Sequence, residues 1–114
     1  MAQADQITAL VKLTLVNAED EGHSGFGHGA ALLLKNVQDT GSLNAAAKSM
    51  GMAYTKAWKL IKACEESLGF DLLIRDGARG STLTVEGEHL LEAYLVTEAE
   101  VSSYAEERLK ANLA

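Results

Sequence analysis

The chain has 114 residues, a length that suits one domain. Apolar residues make up 47% and charged residues 23%, the balance of an ordinary globular protein, which argues against a disordered or fibrous chain. The net charge of -6 argues against nucleic-acid binding when averaged over the whole chain. The longest apolar run, Ala30 to Leu34, is too short to cross a membrane, and the single Cys64 excludes an intramolecular disulfide.

From the N-terminus, no basic region precedes an apolar core, so no secretory signal is read and a cytoplasmic protein is expected. Residues 9–16 (ALVKLTLV) alternate, with Val11, Leu13 and Leu15 on one face and Lys12 and Thr14 on the other. That alternation predicts a half-buried strand. Asn17 to Gly29 is polar and glycine-rich and reads as a loop with Phe26 as its apolar anchor. His23 and His28 in this loop do not form a recognised metal-ligand spacing. A helix is predicted over about 29–39, where Ala30, Leu33, Leu34 and Val37 recur at three- and four-residue intervals, and Gly41 suits a left-handed cap at its end.

Ser42 is a good N-cap for the next helix, Leu43 to Met50, whose Ala46 and Ala47 allow close packing. Gly51 closes it. A third helix is predicted from near Ala53 to Leu68, with Ala57, Leu60, Ile61, Cys64 and Leu68 as its apolar stripe. Residues 42–68 therefore read as a helix-turn-helix, a motif that presents the start of its second helix to a DNA major groove. Phe70–Arg75 and Ser81–Val85 read as two strands around the tight loop DGARG, so that residues 70–85 form the hairpin wing of a winged helix. A long last helix is predicted over 86–110, with Leu90, Leu91, Tyr94, Leu95, Val101, Ala105 and Leu109 as its stripe. So long a helix on so small a domain carries more apolar surface than one core covers, and a homodimer through it is expected. The fold class is therefore mostly α with a small β component, a single winged helix-turn-helix domain.

Charge is unevenly spread. Residues 1–47 sum to -3 and residues 86–114, with seven glutamates, to -5. Residues 48–85, which hold Lys48, Lys56, Lys59, Lys62, Arg75 and Arg79 against Glu65, Glu66, Asp71 and Asp76, sum to +2. The net-positive third is the one holding most of the helix-turn-helix, where phosphate contacts would be needed.

The motif TGSLNAAAKSMGMAYTKAW (40–58) resembles the DNA-binding domain of the ModE family, molybdate-responsive regulators with a LysR-type winged helix-turn-helix. The shared features are Gly-Ser, an alanine-rich first helix, a Gly-Met turn, and Tyr followed by Ala-Trp. The resemblance extends to VKLTLV as the N-terminal strand, FGHG (26–29) as the lead-in to the first helix, and LTVEGEHLLEAY (83–94) as the start of the dimerisation helix. The chain departs from that family at His28, where proline is common, at Ala53, where serine often caps the recognition helix, and in its short wing loop. The resemblance implies a DNA-binding half without the family's molybdate-binding domain. Sensing would then fall to a separate oxyanion-sensing partner, or the chain would act without a ligand.

The expected partner is double-stranded DNA. Tyr54, Thr55, Trp58 and Lys59 lie where base edges are read, Thr55 through its hydroxyl and methyl, Lys59 through its ammonium. Lys56, Lys62 and Lys48 suit phosphates, which position a protein without reading sequence. Ser42 and Asn44 offer donors to a phosphate at the start of the first motif helix, and Arg75 and Arg79 offer cations on the wing. Tyr54 and Trp58, four apart, are equally placed to stack on one another as packing, and the lysines to be a solvated face. Cys64 reads as packing. No phosphate loop, nucleophile elbow or zinc signature is present, so no enzyme, cofactor or metal is expected. The alternative is a winged-helix protein-interaction module that no longer binds DNA, motivated by the acidic balance, the short wing and the missing serine cap.

Overall fold

The computed structural model describes residues 6–19, 25–77 and 80–114. Four helices and one two-stranded antiparallel sheet follow in the order α1 (His28–Thr40), α2 (Leu43–Ser49), α3 (Tyr54–Leu68), β1 (Leu73–Arg75), β2 (Ser81–Leu83) and α4 (Val85–Leu113). This is the winged helix-turn-helix that the periodicities predict.

Caps account for most of the helix ends. Gly41 ends α1 and Gly69 ends α3 with φ of 75° and 86°, the left-handed conformation that glycine adopts without steric cost. The Ser42 hydroxyl accepts from the Ala45 N–H and opens α2. Thr84 does the same for α4, accepting from Gly87 N–H at 2.9 Å. Ala53 opens α3 without a side-chain cap.

The predicted stripes of α1 and α3 turn inward. Ala30, Leu33, Leu34 and Val37 meet Leu43, Ala46 and Ala47 of α2 and Ala57, Ile61 and Cys64 of α3 in one buried cluster. Phe26 is fully buried and meets the Tyr94 ring edge-on, with centroids 5.4 Å apart and planes at 78°. Burial pushes the Cys64 thiol above its ordinary pKa, and the neighbouring Glu65 adds to the shift. An inert, packed thiol follows, and its Sγ lies 3.4 Å from Gly25 O.

The structure corrects the sequence reading in the β regions. Residues 9–17 do alternate between half-buried and exposed. Their ladder, however, reduces to one isolated bridge, in which Leu15 and Phe26 exchange both N–H···O bonds. The rest of the segment is an extended arm laid along α4, with its inward side chains packed toward that helix and no further strand pairing among the described residues. Leu13 O accepts from the Tyr94 hydroxyl at 2.8 Å, and the Ala9 N–H donates to Glu106.

The hairpin is also shorter than predicted. Leu73, Ile74 and Arg75 pair with Leu83, Thr82 and Ser81. Residues 70–72 stay outside it because the Leu72 N–H is taken by the Glu65 carboxylate at 2.7 Å, and Thr84 leaves it to cap α4. The turn is seated on the α1–α2 junction. Ser81 N–H donates to Gly41 O, and a Cβ on Gly80, whose φ is 100°, would stand 2.2 Å from that oxygen. Only glycine fits there.

The helix α4 reaches Leu113, beyond the predicted end near 110. Its 29 residues span about 43 Å at 1.5 Å each, most of the 56 Å long dimension of the molecule. Leu91 and Tyr94 are buried in the core, whereas Leu95, Val96, Val101, Tyr104 and Leu113 remain exposed. None of the helices is long and apolar enough to cross a membrane, among the described residues.

Candidate nucleic-acid interface

The helix α3 has two faces with different work. Ala57, Ile61 and Cys64 are buried, while Thr55, Lys56, Lys59, Lys62 and Glu66 are exposed. The exposed residues form a ridge at helical spacing along the outside of the motif, with Thr55 and Lys59 four apart on its first turns. Among the described residues, Lys56 and Lys59 have no carboxylate within ion-pair distance. Lys62 lies 3.8 Å from Glu65. The ridge is therefore cationic and largely uncompensated, the arrangement that attracts a polyanion.

Helix α2 adds Lys48 and Asn44, both exposed. Ser42 is half-buried, and its oxygen is already occupied by the Ala45 N–H as the helix cap. Its hydroxyl hydrogen remains a donor, but the side chain is first a structural one.

Tyr54 and Trp58 are half-buried and pack against the core. They occupy the flank of α3 that faces the wing, and there they meet Arg75. The Arg75 guanidinium carbon lies 4.7 Å from the Trp58 ring centroid and 5.9 Å from that of Tyr54. The Lys62 ammonium is 5.3 Å from the Trp58 centroid. Cations at these distances are attracted by the negative faces of the rings. Strand geometry explains the placement. Leu73 and Arg75 are two apart and share a face; Leu73 enters the core and Arg75 falls just past its edge, beside the first turns of α3. Arg75 is exposed on β1 of the wing, with two aromatic rings beside it that its position in the sequence does not reveal. Arg79 lies outside the described residues.

Sequence reasoning missed Glu65. Its side chain is only 7% exposed and accepts from the Leu72 and Leu73 N–H groups at 2.7 and 3.3 Å. It ties the C-terminal half of α3 to the start of the wing. The signal was present, since an acid at 65 falls within the buried stripe of Ile61, Cys64 and Leu68.

Comparison with known proteins agrees with this geometry. The family model of bacterial regulatory helix-turn-helix proteins of the lysR family matches residues 30–88, just over half of the chain. No curated protein matches significantly. Among solved structures, the crystal structure of the CbnR DBD–DNA complex superimposes with a TM-score of 0.59 at 26% identity, covering 74% of this chain and 94% of that one. The crystal structure of CbnR, a LysR family transcriptional regulator, gives 0.55 at 30% identity over 68% of this chain. The chain spans only 27% of that longer protein. The arm before α1 and most of α4 lie outside the family-matched segment.

Proposed function

The chain belongs to the lysR family of bacterial regulatory helix-turn-helix proteins, and on that premise we propose that it is the DNA-binding unit of a transcriptional regulator. It acts as a homodimer, joined through α4, that lays two copies of α3 in successive major grooves of a near-palindromic site. The observation that carries this reading is the uncompensated ridge of Thr55, Lys56 and Lys59 on the exposed face of α3. Thr55 and Lys59 read base edges. Lys48, Lys56 and Lys62, with Asn44 and the Ser42 hydroxyl, hold phosphates. Within the family, the motif over 40–58 and the arm ahead of α1 favour a ModE-type regulator. Any oxyanion response would then come through a domain or partner other than the winged helix.

The test is binding to duplexes selected from a random-sequence pool, followed by fluorescence anisotropy across a salt series. Neutralising about six to eight phosphates per dimer gives a slope of log K against log salt of roughly -5 to -7. Lys59→Ala is expected to weaken the selected duplex by about tenfold and a random duplex much less, the loss of one base contact. Equal losses on both would reject base reading by Lys59. Failure of the wild-type protein to retain any duplex at low salt would reject the whole reading in favour of a protein-interaction module.

A further inference from the structure

The cluster of Arg75, Trp58, Tyr54 and Lys62 carries a second inference, which rests on the DNA-binding reading. We propose that Arg75 is the positioning residue of the interface: its guanidinium, laid on Trp58 and Tyr54, holds the wing against the recognition helix and presents its N–H edge to a backbone phosphate beside the groove.

Three observations support this. The hairpin backbone is anchored to α1 and α4, with β2 making the contacts and Ser81 bonded to Gly41. The link from β1 to α3 therefore rests on side chains, with Glu65 at one end of β1 and Arg75 at the other. Arg75 is exposed and has no carboxylate within ion-pair distance among the described residues, so its charge is not spent within the domain. Stacking uses the plane of a guanidinium and leaves its five N–H donors at the rim, which is the geometry that grips a phosphate with two bonds. Lysine supplies charge without the plane and cannot do both.

Trp58 is the only tryptophan of the chain, so its emission reports on the cluster directly. In the free protein, Arg75→Ala is expected to shift that emission to longer wavelength as the ring gains water. On DNA, the same variant is expected to bind the selected and the random duplex about tenfold more weakly and to lower the salt slope by about one per protomer. Arg75→Lys should restore the slope, keep the shifted emission and recover affinity in part. A purely structural arginine would change stability and leave the slope alone.

An unchanged slope in Arg75→Ala overturns the phosphate contact. Arg75→Lys indistinguishable from wild type in emission and affinity overturns the stacking. Should Arg75→Ala fail to fold, Arg75→Lys, which keeps the charge and most of the volume, still decides the stacking. Wild-type protein that binds no duplex removes the DNA reading and with it the phosphate contact, while the emission of the free protein still decides whether Arg75 covers Trp58.

Discussion

Tyr94 has one hydroxyl proton and two acceptors. Its oxygen lies 2.8 Å from Leu13 O and 3.0 Å from Glu98 Oε2, and Glu98 also meets His28 Nδ1 at 3.1 Å. Burial, then the hydrogen bond to Glu98, then that carboxylate's charge push the phenol up to about 12 from its ordinary 10. Between those values the folded protein keeps a proton that the unfolded chain releases. The stabilisation is therefore complete below about pH 10 and is lost as pH rises toward 12. An ultraviolet titration should show one of the three tyrosines ionising late. Tyr94→Phe should remove that late step, flatten the alkaline loss of stability and cost about 1 kcal/mol at neutral pH. An unaltered late step in the variant would assign it elsewhere. The sequence displays Tyr94 as a member of an apolar stripe and says nothing of its hydroxyl, because the partner on Leu13 is 81 residues away. Arg75 is read only in part for the same reason. Its charge is visible in the sequence, while its aromatic bed belongs to another element.

Helices were the legible elements, since each announces itself through spacing and caps within a few residues. Gly41, Ser42, Gly69 and Thr84 all stand where their chemistry requires. Strand limits were less legible, because they depend on who takes each N–H. Leu72 has the composition of a strand residue, yet its N–H goes to Glu65. Residues 9–16 have the right alternation but, among the described residues, make a single bridge. The recognition helix shows what a missing cap means. Ala53 has the extended φ and ψ of an N-cap, -64° and 144°, and no side-chain oxygen to satisfy the first N–H groups. Ala53→Ser should raise stability by about 1 kcal/mol. Thermal unfolding measures it, and a melting temperature equal to or below that of wild type would show that the cap geometry is not reached.

At the scale of the molecule, α4 leaves more apolar surface than the domain covers. Tyr104 is 63% exposed and Val96 52%, with Leu95 and Val101 nearby on the same helix. Burying a large apolar side chain yields roughly 1.5–3 kcal/mol, and each substitution in a symmetric pair counts twice. For the proposed α4 dimer, Val101→Glu with Tyr104→Glu is therefore expected to shift sedimentation from dimer to monomer. The same change should weaken a palindromic duplex by at least tenfold, with little effect on a half-site. A double variant that stays dimeric would move the interface off this helix.

The arm that Glu106 and Tyr94 hold has a bearing on how the protein is made. Leu13 and Ala9 leave the ribosome 81 and 97 residues ahead of their berths at Tyr94 and Glu106. Until the distal helix has emerged, this leading segment must wait in the open, its leucines uncovered. Closure thus waits on α4, and a nascent chain stalled before residue 94 would be a ready client for chaperones.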